Sequence, residues 1–183
     1  MIDEEIIKKI LGGNKNLYSK IMDKYHNELF KYVYNIVNDY TVTEDLLQEI
    51  FFRIYKNLNK YNSKKASFRT WMYRVAQNYV FNYLNKASTR LKKNTYEYDD
   101  SINKSKDDVE EEAIKSSKID QIIKAMEKVL KPKQLKIMQL HYFSNLSVKE
   151  ISEVLGIPDK TIYKSIKTSV EKIKKEVEEY GEI

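Results

Sequence analysis

The chain is predicted to be all-α, with two small helical domains joined by a flexible acidic linker, and three observations carry that prediction. Only four glycines and two prolines occur among 183 residues, at Gly12, Gly13, Pro132, Gly156, Pro158 and Gly181. All six fall where a helical pattern stops. Apolar residues recur three and four positions apart over most of the chain, and with so little punctuation a sheet has nowhere to turn. Charge, finally, is segregated. The stretch from Glu97 to Glu112 holds eight acids and two lysines, a net of −6, so the chain's overall +6 leaves +12 on the remainder. Two basic modules, 1–95 and 114–183, are therefore expected to flank a linker at 96–113, a division that the length accommodates.

The elements follow in order. Asp3 to Leu11 reads as a short helix ended by the glycine pair. A longer helix is expected from about Asn14 to Asn38, with Leu17, Ile21, Tyr25, Leu29, Val33 and Val37 on one face. Thr43, followed by Glu44 and Asp45, is the expected N-cap of a helix through Leu58 whose inward stripe is Leu47, Phe51, Ile54 and Leu58. The polar run from Asn59 to Ser67 is a loop, and Ser67 caps a helix that continues to about Lys93. Beyond the linker, Ile119, Ile122, Ile123, Met126, Val129 and Leu130 form an apolar face that stops before Pro132, and Leu135, Met138 and Tyr142 extend the core.

The last forty residues carry a helix-turn-helix pattern. Leu146, Val148, Ile151, Val154 and Leu155 face inward on a short helix, Gly156 allows a sharp turn, and Pro158 suits the first turn of the next helix. Ile162, Ile166, Val170, Ile173 and Val177 dock that helix on one side. Its other side presents Lys160, Thr161, Tyr163, Lys164 and Lys167, with Ser165 and Thr168 beside them. Such residues near the amino end of a second helix meet base edges or phosphates in the major groove.

Between Ser67 and Lys86 the chain is richer in rings, amides and cations than helix formation demands. Tyr73, Tyr79, Phe81 and Tyr83 alternate with Arg69, Arg74, Gln77, Asn78, Asn82, Asn85 and Lys86, beside the only tryptophan, Trp71. Rings stack on unpaired bases, amides bond base edges and cations hold phosphates. An amphipathic helix with its rings in the core fits the same pattern. A similar pair of readings attaches to Phe52, which lies outside the stripe with Asp45, Gln48, Glu49 and Arg53: an aromatic anchor among charges suits a protein interface, or the ring tucks against Tyr55.

Several function classes are disfavoured. With no cysteine, disulfides, thiolate catalysis and Cys-based zinc sites are excluded. His26 and His141 stand alone, the acids from Asp107 to Glu112 read as a solvated run, and no phosphate loop or nucleophile elbow occurs. Neither an enzyme nor a cofactor site is expected. The acidic amino terminus and the lack of a long apolar run predict a soluble, unexported, cytoplasmic protein without membrane insertion.

Three segments together resemble the bacterial RNA polymerase sigma factors of the small extracytoplasmic-function group. Glu44-Asp45-Leu46-Leu47-Gln48-Glu49-Ile50-Phe51 resembles the polymerase-binding helix of region two. Phe68-Arg69-Thr70-Trp71-Met72-Tyr73-Arg74-Val75-Ala76-Gln77-Asn78 resembles the promoter-melting segment, and Leu146 to Ser165 the region-four helix-turn-helix. The resemblance implies that Asp45, Gln48, Glu49 and Phe52 meet core RNA polymerase. It implies a minus-ten DNA surface made of Asn59, Lys60, Tyr61, Asn62, Lys64, Lys65, Ser67, Phe68, Thr70, Trp71, Arg74, Asn78, Asn82, Lys86 and Arg90, with Lys92 and Lys93 nearby, that melts the duplex and takes a flipped base of the non-template strand. Lys160, Thr161, Tyr163, Lys164, Lys167 and Thr168 would read the minus-thirty-five element. It also implies an anti-sigma factor as a partner and a linker that lies in the polymerase's nucleic-acid channel.

The family usually has an acid at the position of Asn82 and arginines at those of Tyr163 and Ser165, so the upstream sequence does not follow by analogy. A helical repressor would share the recognition helix, but it has no use for the Asn and aromatic surface in the first half.

Overall fold

The computed structural model describes the backbone of residues 2–93 and 110–181, and side chains within 2–86 and 120–178. The described residues form eight α-helices and no strand. Four helices make the first half: α1 (Asp3–Leu11), α2 (Tyr18–Val37), α3 (Tyr40–Lys56) and α4 (Phe68–Lys93). The second half has α5 (Glu110–Val129), α6 (Pro132–Tyr142), α7 (Val148–Leu155) and α8 (Asp159–Gly181).

The helical periodicity translates into burial as expected. Ile21, Tyr25, Leu29 and Val33 of α2 pack in one core with Leu47, Phe51 and Ile54 of α3 and Met72, Tyr73, Ala76 and Val80 of α4. The helix ends differ from expectation in instructive ways. Residues Lys15–Leu17 form a 3₁₀ turn, so α2 starts at Tyr18. Asn38 adopts a left-handed conformation (φ 51°) that ends α2, and Asp39, extended next to it, caps α3 by accepting the Val42 amide at 2.8 Å. Thr43 is therefore not the cap. It is buried one turn inside the helix, its hydroxyl donating to the Asp39 carbonyl at 2.6 Å. Either residue type satisfies the first amides, and the turn at Asn38 decides between them. Leu58 belongs to a second 3₁₀ turn, Leu58–Lys60, rather than to α3.

In the second half, α5 begins inside the acidic run, at Glu110. Acids at a helix N-terminus are favoured by the helix dipole, which extends the helix beyond its apolar stripe. The expected linker residues 96–109, with Asp99, Asp100, Asp107 and Asp108, lie outside the described residues, as do the side chains of Glu110 to Glu112 and Ile119. Ala125, Met126, Leu130, Met138 and Ile173 form a second core, and Lys128 of α5 meets Glu176 of α8 at 2.5 Å. Ile122 and Tyr142, expected inside, are exposed instead. They flank an apolar groove of about 460 Å³ lined by residues of α5, α6 and α8 and by Asn35 of α2.

The turn of the helix-turn-helix is as its sequence requires. Ser147 and Glu150 cap α7 reciprocally, the Ser147 amide donating to the Glu150 carboxylate at 2.9 Å. Gly156 follows α7 with φ 66°, a conformation strained for a side chain. Pro158 precedes α8 instead of opening it, its carbonyl accepting from Thr161 at 2.8 Å.

The halves are docked. α7 packs on α4, and Ile137, Leu140, Leu146, Ile151, Val154 and Ile162 join the same apolar cluster as the first half.

Candidate nucleic-acid and polymerase interface

Three surfaces carry the residues singled out by the sequence. On α3, Asp45, Gln48 and Phe52 are exposed, Phe52 by 50 %. Lys56 lies 4.5 Å from the Phe52 ring centre, and Glu49 is paired with Arg53 at 2.8 Å. Next to them is a groove of about 370 Å³ lined by Tyr18, Met22, Gln48, Phe51, Phe52 and Tyr55. Met22, itself exposed, is an addition that sequence periodicity on α2 could have suggested, since it lies off the buried stripe. A ring that keeps half its surface beside an apolar groove within a charged rim fits a protein contact rather than an internal one.

The second surface is one face of α4 with the loop before it. Asn78 and Asn82 are exposed and Trp71 is half-buried, and the spacing of seven and eleven puts all three on one side of the helix. Ser67 caps α4, its hydroxyl accepting the Thr70 amide at 3.1 Å. Asn59, Lys60, Asn62, Lys64 and Lys65 are exposed on the adjoining loop, where the Asn62 side chain accepts the Lys64 amide at 2.9 Å. Lys86 is exposed farther along, while the side chains of Arg90, Lys92 and Lys93 lie outside the described residues.

Several residues of the expected minus-ten surface are core. Phe68 and Thr70 are 1 % exposed and cannot touch a base in this arrangement. The Phe68 ring is packed by Tyr25 at 5.7 Å and Tyr61 at 5.5 Å, while Thr70 shares the Ser67 hydroxyl. Tyr73 and Gln77 are buried as well, Gln77 accepting a hydrogen bond from the Tyr32 hydroxyl. The helix thus uses its rings both ways: Tyr73 and Phe68 inward, Trp71 and Tyr83 towards the surface. Helical phase separates them, 68, 72, 73, 76, 77 and 80 sharing the inward side.

Arg69 and Arg74 link the two halves in this arrangement. Glu28 of α2 accepts from Arg69 Nε at 2.6 Å and from the Tyr73 hydroxyl at 2.9 Å. The same guanidinium donates through Nη2 to the Ser144 carbonyl at 2.6 Å, and its Nη1 lies 3.7 Å from Glu150 of α7. Burial works against the Arg69 charge, but the Glu28 hydrogen bond and the two carboxylates outweigh it and hold the proton more tightly than usual. Burial, then Glu28, pushes the Tyr73 hydroxyl up and keeps it a neutral donor. Arg74 donates to the Glu153 carbonyl at the far end of α7, and Lys136 of α6 sits 3.4 Å from the Phe81 ring centre.

The third surface is the outer face of α8. Lys160, Thr161, Tyr163, Lys164 and Lys167 are all exposed, Tyr163 by 64 %, on the side opposite the buried Ile162. Thr168 turns its hydroxyl back to the Lys164 carbonyl at 3.0 Å, which limits its reach outward. The two histidines are structural: His26 stacks near Phe30 and Phe51, and His141 Nδ1 lies 3.2 Å from the Leu146 carbonyl. Among the described residues no cluster of acids and histidines could hold a metal, and no helix is long and apolar enough to cross a membrane.

This combination defines a two-part helical protein with a helix-turn-helix in its second half, and comparison with known proteins gives its class. Residues 21–90 match the Sigma-70 region 2 family and residues 119–173 match Sigma-70, region 4. The chain is 27 % identical to the ECF RNA polymerase sigma factor SigW of Bacillus subtilis over 97 % of both chains. It is 30 % identical to the RNA polymerase sigma factor SigZ of Bacillus subtilis, covering 75 % of this chain and 73 % of that one. The fold is also that of CnrH, solved in complex with the cytosolic domain of CnrY, with a TM-score of 0.70 and 16 % identity over 96 % of this chain and 97 % of the other. The chain belongs to the extracytoplasmic-function group of RNA polymerase sigma factors. It acts by binding core RNA polymerase and directing transcription initiation to specific promoters.

Proposed function

We propose that the three surfaces divide the work of initiation, within domains at 1–95 and 114–183. Asp45, Gln48, Glu49 and Phe52, with Met22 beside them, meet the polymerase. Trp71, Asn78 and Asn82, with the loop residues Asn59, Lys60, Tyr61, Asn62, Lys64, Lys65 and Ser67, take the melted non-template strand, and Lys86 and Arg90 hold its backbone. Lys160, Thr161, Tyr163, Lys164 and Lys167 read the upstream duplex. The observation that carries this reading is the face of α4 that exposes the Asn78 and Asn82 amides beside the half-buried Trp71 ring, continuous with a lysine-bearing loop. Amides and a ring displayed to solvent on one helix face serve unpaired bases, whereas a dimerisation helix of a repressor would display aliphatic groups.

The docking of α7 on α4 has a consequence for the mechanism. Elements centred near minus ten and minus thirty-five lie about 25 base pairs apart, roughly 85 Å of B-form DNA. Helices in hydrogen-bond contact cannot serve both, so the halves part when the promoter is held. The work takes place in the cytoplasm, with an anti-sigma factor as regulator; the sigma factor RpoE, which shares the fold, was solved in complex with the anti-sigma factor NepR from Bartonella quintana.

Run-off transcription with purified core polymerase tests the reading. Specific starts that depend on this chain are expected, and tight, salt-resistant, sequence-specific binding by the chain alone would favour a repressor. Phe52→Ala is expected to weaken core polymerase binding about tenfold, as loss of an interface aromatic does, without lowering the melting temperature; fluorescence anisotropy measures the first and circular dichroism the second. An unchanged affinity removes Phe52 from the interface. Lys164→Ala is expected to cost about 1–2 kcal/mol and to relax selection at one upstream position in a promoter-library assay. A uniform loss across sequences, with a shallower salt dependence, would make Lys164 a phosphate contact.

A further inference from the structure

The loop before α4 is fixed at both ends, and one anchor comes from an element with no assigned role. At its carboxyl end Ser67 caps α4. At its amino end the Tyr61 ring stands edge-on to Phe68 at 5.5 Å and lies 5.7 Å from Trp71. The Tyr61 hydroxyl donates to Glu4 Oε1 at 3.2 Å. Glu4 is on α1, upstream of the region 2 match that starts at residue 21.

α1 is well placed to act as a brace. Ile6, Ile7 and Ile10 bury its apolar side in the main core. Asp3, adjacent to Glu4, accepts from the Tyr25 hydroxyl and from Lys24 Nζ, each at 2.6 Å. Tyr25 in turn packs against Phe68. The two neighbouring carboxylates thus grip the two tyrosines that enclose Phe68, the residue under Trp71. Burial, followed by the Glu4 charge, pushes the Tyr61 hydroxyl up to about 12, so it stays a neutral donor to the carboxylate.

We propose that Glu4 is a positioning residue for base capture: through Tyr61 it sets the start of the loop and the placement of Trp71. This rests on the reading of the α4 face given above. Glu4 is exposed, and one surface hydrogen bond adds little to global stability. Its removal should therefore be felt in the loop and not in the fold.

The test uses holoenzyme made with purified core polymerase and compares a duplex promoter with one pre-melted at the minus-ten element. Glu4→Ala is expected to slow opening of the duplex about fivefold, to leave the pre-melted template within twofold, and to give no further loss when added to Tyr61→Phe. Glu4→Gln, whose amide oxygen still accepts from the phenol, should restore the rate. Trp71 is the only tryptophan, so acrylamide quenching of the free chain should rise in Glu4→Ala and return in Glu4→Gln. Additive losses, equal losses on both templates, or failure of Glu4→Gln to rescue would overturn the proposal. Slowing by Asn78→Ala but not by Glu4→Ala would overturn it alone, whereas no effect from either would overturn the α4 reading with it.

Discussion

Asn78→Ala is expected to slow opening of a duplex promoter by the holoenzyme by about 30- to 100-fold, with core polymerase binding unchanged. Drawing a base out of the stack costs a few kcal/mol, and an amide that bonds the extruded base through two hydrogen bonds returns about 2–3 kcal/mol of it. Asn78 is exposed on α4 and shares its side with Trp71, two turns earlier. Alanine is the better helix former, so a loss of folding cannot account for a slow variant. Opening followed by permanganate reactivity of the minus-ten bases gives the rate. On a pre-melted template the deficit should shrink to a weakened base preference. Equal rates for the two proteins on both templates, with the same base preference, would take Asn78 out of the site.

The second large effect is expected at Arg69. One guanidinium ties α4 to α2 through Glu28 and to the second half through the Ser144 carbonyl and Glu150. About a third of each carboxylate side chain is exposed, which reduces the cost of breaking the pair below that of a buried one, to about 2–3 kcal/mol. Arg69→Met keeps an unbranched apolar side chain and removes the donors and the charge, which lies 5.2 Å from the Tyr73 ring centre. It should shift the free chain towards a form in which α7 has left α4, seen as a larger radius of gyration in solution scattering and as faster amide exchange in α7. Because both readers then become available together, non-polymerase-bound Arg69→Met should also bind promoter DNA more tightly than the parent chain, where Arg74 is occupied by the Glu153 carbonyl. An unchanged radius with unchanged exchange would mean that apolar contacts alone hold the halves together.

Legibility differed between residues for physical reasons. The exposure of Asn78, Asn82 and the outer residues of α8 was legible in sequence, because helical phase alone decides which side is free once one side is known to be apolar, whereas that of Phe52 was open between the surface and a tuck against Tyr55. Phe68 and Thr70 were placed on the DNA surface and are buried. Both belong to a motif contiguous in sequence, and contiguity cannot separate the residues that face a ligand from those that support them. The division within SFRTWMYRVAQN depends on α2, which takes Tyr73 and Gln77 through Glu28 and Tyr32. Glu4 carried no signal beyond an acid in a first turn, since its partner is far along the chain.

The all-α class and the helix-turn-helix with its glycine turn were determined by the sequence itself. Each follows from short-range physics: periodic burial, and a backbone angle that glycine tolerates. Only the tertiary structure decided the capping of α3 by Asp39, the inward turn of Phe68 and Tyr73, and the docking of α7 on α4 through Arg69 and Arg74. These depend on pairings between residues up to 79 positions apart. For such pairings the local pattern allows several partners, and only the packing of whole helices selects one.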